Sequence, residues 1–226
     1  MLYFQYLEEN KHVSIGLINS GGIRGGFEIG EITVADMLAV IPFKNSIDLI
    51  TIKGKYIRQA LQESAGRLSE EGKLSGGGFL QVSGIKMTID LSKSKDDRVT
   101  ELKVKCTQCF SELSAQYEDL IDERSYNVSI TNYLSNNGGD RYVVFSKYKL
   151  SQLEGPLDTE VFIKHLQAHS PVTKDAIKVQ NRITIIGGTS GAKSATSGSG
   201  WSIKSTNNLI LEAFMLYVVV VQFLTF

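Results

Sequence analysis

The feature that most constrains this chain is a succession of short β-branched runs, each closed by turn residues. Residues 13–18 (VSIGLI), 47–52, 79–83, 85–91, 99–105, 126–131 and 182–186 all have strand length and composition. Glycine, asparagine or aspartate punctuates them, notably Asp96-Asp97 and Asn136-Asn137-Gly138-Gly139-Asp140. Helical signals are fewer. Thr33-Val34-Ala35-Asp36 reads as a capping box opening a helix through Val40. Ile57, Ala60, Leu61, Ser64 and Leu68 share one face of a helix over residues 55–68, after Gly54. Asp158 can cap a helix running to His169. Helices mixed with several adjacent strands predict an α+β fold built on an extensive, mixed and partly antiparallel sheet. No internal repeat is seen.

The 226 residues suffice for one domain with a sizeable core. Lys+Arg and Asp+Glu are 24 each, so the balance argues against nucleic-acid binding through bulk positive charge. Three His and two Cys leave little for an all-protein transition-metal cage. His165 and His169 have the i, i+4 spacing of a helical zinc pair, but the residues between them, Leu-Gln-Ala, lack the Glu of HExxH, and no third ligand is evident. Residues 187–194 (GGTSGAKS) place Gly-Ala-Lys where a phosphate loop needs Gly-Lys, and read as linker. The sequon at Asn127 lies within an apolar strand, a poor place for a glycan.

The two ends of the chain disagree. Residues 209–226 (LILEAFMLYVVVVQFLTF) form an apolar tail, without a positive flank, behind a run of small and polar residues. Small residues, a polar spacer and a terminal apolar tail form the signal for a GPI anchor. Ser197-Gly198-Ser199 would be the small triplet, with Ser197 as attachment point and residues 200–208 as spacer. Ser194-Ala195-Thr196 is a second choice, and a tail-anchored helix is the alternative. The division expected is a folded domain over 1–186, a Gly/Ser/Thr linker over 187–208 and the tail over 209–226. MLYFQYLEEN at the start is not a secretory signal. The contradiction predicts that the chain is the C-terminal part of a longer secreted protein. Cys106 and Cys109 (CTQC) suit a local disulfide in an oxidising compartment, the alternative being a redox or half-zinc pair.

Asn19-Ser20-Gly21-Gly22-Ile23-Arg24 ends the first strand. Glycines let backbone approach a ligand, Arg24 offers a fork suited to phosphate or carboxylate, and Asn19 can both donate and accept. An ordinary turn with a solvated Arg fits the residues equally well. Tyr133 beside the turn ending in Asp140 could stack a ring and bind a diol, or be a surface Tyr on a tight turn. Phe43, after Pro42, reads as core on its own.

Together, NSGGIR (19–24), IPFKNSIDLITIKG (41–54), GGFLQVSGIKMTIDLS (77–92), DRVTELKVKC (97–106) and NYLSNNGGDRY (132–142) resemble the C-terminal domain of the 5′-nucleotidase family, over roughly residues 13–186. The resemblance implies a two-domain parent. Its N-terminal metallophosphatase domain, outside this chain, carries two divalent metals, usually zinc. Its C-terminal domain binds the nucleoside, and hydrolysis of nucleoside 5′-monophosphates gives nucleoside and phosphate. It further implies that Asn19 and Arg24 make polar substrate contacts, that Phe43 and Tyr133 sandwich the base, that Asp140 holds the ribose hydroxyls, and that Cys106 pairs with Cys109. No catalytic residue, metal or cofactor is then expected in this chain, which alone should be inactive. A cell-surface, GPI-anchored setting and a homodimer are expected of the parent. An apyrase cleaving ATP and ADP and a non-catalytic nucleoside-binding module are the alternatives. One departure stands out: Tyr-Leu-Ser-Asn-Asn-Gly-Gly-Asp has one residue more than the family's aromatic-Leu-Ala-Asn-Gly-Gly-Asp, so either the loop bulges or the ring is displaced.

Overall fold

A computed structural model describes residues 13–106, 117–173 and 180–188. Two mixed sheets form its body. The first contains β1 (Ile15–Asn19), β2 (Ile47–Lys53), β3 (Leu80–Ser83), β7 (Ser125–Thr131) and β8 (Ser151–Leu153), in the order β3-β1-β7-β2-β8. The second contains β4 (Ile85–Asp90), β5 (Val99–Lys105), β6 (Tyr117–Asp119) and β9 (Ile183–Ile186), in the order β6-β5-β4-β9. Each has one parallel pair, β1 with β7 and β4 with β9; the other pairings are antiparallel. The α+β expectation holds, but the expected single sheet is divided in two. Gly84 makes the division. It sits between β3 and β4 at φ 67°, and a Cβ there would stand 1.6 Å from the Ser14 carbonyl oxygen. Glycine meets both demands, a left-handed backbone and direct contact with another strand.

Among the described residues five α-helices accompany the sheets: α1 (Val34–Val40), α2 (Gly54–Gly66), α3 (Asn132–Ser135), α4 (Val143–Tyr148) and α5 (Asp158–His169). The capping box at α1 is present: the Thr33 hydroxyl accepts from the Asp36 N–H, and the Asp36 carboxylate accepts from the Thr33 N–H. On α2, Ile57, Ala60, Leu61 and Ser64 are fully buried, as their spacing predicts. Ser64 is tolerated there because its hydroxyl accepts the Leu80 N–H at 2.8 Å. This face joins Ile15, Leu17, Ile50, Val82, Ile85, Met87, Val104, Val128 and Phe145 in one core spanning both sheets. Fully burying each such side chain is worth about 1.5–3 kcal/mol. A smaller cluster, Met37, Val40, Ile41 and Phe162, seats α1 on α5.

Two expectations needed correcting. The residue pattern of 47–52 predicts an alternating, half-exposed strand, yet Ile47, Asp48, Leu49 and Ile50 are all buried, because β2 lies between β7 and β8 with both faces covered. Asp158 is the first residue of α5 rather than its cap. Its carboxylate accepts from the N–H groups of Asn45 and Thr159, and its own N–H pairs with the Asn45 carbonyl. The short elements α3, α4, β6 and β8 carry no periodic signal long enough to read.

Candidate functional site

The topology gathers the distant motifs. Strands β1 and β7 run parallel, so Asn19 and Thr131 end at the same edge of the first sheet. Strand β2 is antiparallel to β7 with Ile47 opposite Thr131, which brings the chain before β2 to that edge. Strand β3 is antiparallel to β1 with Leu80 opposite Asn19, which brings residues 77–79 there too. Backbone bonds fasten the loops: Ser20 N–H to Phe79 O at 2.8 Å, Gly21 N–H to Gly77 O at 2.7 Å, and Asn132 N–H to Ser46 O at 2.9 Å. Four loops on a rigid sheet end give a natural place for a ligand site.

Asn19, Tyr133 and Asp140 meet directly. Asn19 Nδ2 donates to Asp140 Oδ2 at 2.7 Å. The Asp140 N–H donates to the Tyr133 hydroxyl at 3.1 Å. The Tyr133 ring lies flush on Gly139, where a Cβ would come within 2.4 Å of the ring. The loop follows an uncommon path: Gly138, Asp140 and Arg141 have φ of 59°, 51° and 69°. Gly138 takes this conformation freely, whereas Asp140 and Arg141 hold it at a cost. The extra residue is thus absorbed as a left-handed turn that brings Asp140 back under the Tyr133 hydroxyl.

Arg24 and Phe43 form a second pair, with the guanidinium carbon 6.0 Å from the ring centroid, within cation–π range. The Arg24 N–H is held by the Val40 carbonyl at 2.8 Å. Phe43 is 54% exposed, so it is not the core residue that it resembles in isolation. Lys44, beside it, has φ 52°. Among the described residues the non-glycine positive φ values fall at Lys44, Asp140, Arg141 and Asn181, and all but the last lie in these loops. Held strain of this kind clusters at functional sites. A small, mostly apolar pocket beside Asn19 is lined by Ile18, Gly22, Ile41, Ile130 and Phe162, among others; Arg24, Phe43, Tyr133 and Asp140 are not among its lining residues.

Sequence reasoning missed the supports. Arg67, directly after α2, donates to the Asp140 carbonyl at 2.5 Å and to Glu63 at 3.1 Å, and lies 4.8 Å from the Tyr142 ring centroid. Tyr142 is fully buried, donates to the Gly78 carbonyl at 2.6 Å, and burial pushes its phenol up to about 12. Burial also raises the Glu63 carboxyl, with Arg67 and Arg141 opposing the shift. Asp48, 1% exposed, accepts from Ser46, Ser135, Gln152 and the Gly155 N–H, tying β2 to α3 and to the segment after β8. A charged residue inside the apolar run of β2 was a readable signal for Asp48. Arg67 carried only its i, i+4 spacing from Glu63.

Other expected features are placed as follows. Asn127 is half-buried in β7, and its side-chain oxygen accepts from Thr51 at 2.9 Å. The His165 and His169 rings stack at 3.8 Å, and burial chiefly lowers His165 to about 3. No group of three His, Cys, Asp or Glu side chains among the described residues could hold a metal ion. No helix among them is long and apolar enough to cross a membrane. Cys106 follows β5; Cys109, Ser197 and the tail at 209–226 lie outside the described residues.

A family model for the 5′-nucleotidase C-terminal domain matches residues 2–147. An apyrase of Tabanus yao is 33% identical over 174 residues, covering 77% of this chain and 30% of the relative. A snake venom 5′-nucleotidase of Macrovipera lebetinus is 34% identical over 188 residues, covering 80% of this chain and 43% of the relative. Among solved structures, a 5′-nucleotidase precursor of Thermus thermophilus aligns with TM-score 0.68 and 30% identity, over 82% of this chain and 33% of that one. The chain thus spans less than half the length of each of these relatives.

Proposed function

The chain belongs to the 5′-nucleotidase family through its C-terminal domain, and from that premise we propose that it binds the nucleoside part of a nucleotide substrate. Phe43 and Tyr133 take the base between them, Asp140 holds the ribose hydroxyls, and Asn19 and Arg24 complete polar recognition. Base stacking of this kind is worth about 1–3 kcal/mol and tolerates different bases. The observation that carries the reading is the Asn19–Asp140 hydrogen bond: two residues 121 positions apart, each assigned to substrate from its own motif, touch at one sheet edge.

The parent enzyme is a phosphoric monoester hydrolase releasing nucleoside and phosphate from nucleoside 5′-monophosphates. Its two divalent metals belong to another domain. The role assigned to this chain is binding, not hydrolysis. The parent is extracellular and GPI-anchored through Ser197, with a Cys106–Cys109 disulfide and a dimeric assembly. The relationship to a snake venom protein supports the extracellular setting. The relationship to an apyrase keeps ATP and ADP hydrolysis as the second reading.

Calorimetric titration of the purified chain with adenosine tests the site. Binding is expected, and a folded Asp140→Ala variant should lose most of it. Unchanged affinity in that variant ends the assignment. Turnover of AMP by the chain with added zinc would end the claim that it only binds.

A further inference from the structure

Three of the four polar groups of Asp140 are held by side chains from different parts of the fold. The N–H donates to Tyr133 on α3 at 3.1 Å, the carbonyl accepts from Arg67 after α2 at 2.5 Å, and Oδ2 accepts from Asn19 at the end of β1 at 2.7 Å. Only Oδ1 has no donor among the described residues. The residue so held sits at φ 51°, ψ 26°, a left-handed conformation that carries a cost for an L-residue, although Asp bears it better than most. Relaxation of that backbone swings the Cα–Cβ bond and carries the carboxylate with it. A carboxylate that reads a vicinal diol must present its oxygens at fixed positions, and small displacements are costly.

We propose that Arg67 and Tyr133 are positioning residues for the Asp140 carboxylate, setting ribose recognition through its backbone. The Tyr133 hydroxyl acts in addition to whatever its ring does for the base. Arg67 is itself aimed by Glu63 and by the Tyr142 ring. Gly78 leaves room for it, since a Cβ there would fall 2.5 Å from its Nη1. The proposal rests on the reading of Asp140 as the ribose-holding group.

The experiment measures affinity of the full chain for adenosine and for 2′,3′-dideoxyadenosine, and takes the ratio. Wild type should prefer adenosine by about tenfold or more, the worth of a hydrogen bond to a charged group. Asp140→Asn should bring the ratio close to one. Tyr133→Phe, which keeps the ring, and Arg67→Gln should lower the ratio at least threefold, and Arg67→Lys should restore part of it. In an Asp140→Asn background neither should change it further. A purely structural role would weaken both nucleosides equally and leave the ratio intact. If Asp140→Asn collapses the ratio while Tyr133→Phe and Arg67→Gln preserve it, the positioning proposal is wrong and the ribose reading stands. If wild type itself does not discriminate, the ribose reading falls and takes the proposal with it. Should Arg67→Gln fail to fold, Tyr133→Phe decides alone, because Tyr133 is 38% exposed and loses only its hydroxyl.

Discussion

The two halves of the site are built on opposite plans. The Asp140 half is over-determined: every peptide group of that residue is fastened, the Tyr133 ring rests on Gly139, and Arg67 and the fully buried Tyr142 stand behind. The Phe43 half is open: the ring is 54% exposed, its recorded ring partner is Arg24 at 6.0 Å, and its neighbour Lys44 carries a positive φ. Directional recognition of hydroxyl groups requires fixed geometry, whereas stacking tolerates sliding. On the proposed reading, the difference teaches that rigidity is invested where hydrogen-bond direction matters.

The contrast can be broken most forcefully at Gly77. A Cβ there would lie 2.6 Å from the Gly21 Cα, backbone against backbone, so neither side can give way. Gly77→Ala should cost about 3 kcal/mol in denaturant unfolding, at the upper end of overpacking. Adenosine affinity should fall with it, because the turn after Asn19 moves.

The next effect is one of pH. Tyr142 has its phenol raised from 10.0 to about 12 by burial, so between those values the folded chain keeps a proton that the unfolded chain releases. Its contribution is complete below pH 10 and is lost as pH climbs toward 12, about 2–3 kcal/mol in all. Unfolding curves from pH 8 to 12 should show this loss in wild type and a flatter profile in Tyr142→Phe. The same profile in both would mean that the fixed half does not depend on this phenol.

Phe43→Ala sharpens the comparison by separating binding from stability. Adenosine affinity should drop by about 1–3 kcal/mol if the ring stacks on the base. Thermal unfolding should change by no more than about 0.5 kcal/mol, as for an exposed side chain. A large stability loss would mean that the open half is structural after all. The smallest effect is expected at Lys44→Gly, which relieves the positive φ and should stabilise by about 0.5 kcal/mol, the strain removed less the added chain entropy.

Much of this was legible early, for reasons that differ between elements. Helix α2 showed itself because burial of one face imposes a 3.6-residue repeat, and Ile57, Ala60 and Leu61 obey it. Helix α1 was visible through its capping box. Helices α3 and α4 were not, since four and six residues are too few to establish a period. Asn19 and Asp140 were singled out separately by turn chemistry and family resemblance, but nothing in the sequence said that they touch. Arg67 and Tyr142 escaped notice because their roles come from partners 64 or more positions away.

Periodicity and turn residues are local properties, each written in a few neighbouring positions, and so the sequence by itself determined the longer strands, the longer helices, the mixed α+β class and the identity of the motif residues. The pairing of β1 parallel to β7 and antiparallel to β3, the separation of two sheets at Gly84, and the capture of Asp140 by Asn19, Tyr133 and Arg67 depend on side chains from remote segments packing at once. Such contacts exist only when the whole core has formed, and the tertiary structure alone decided them.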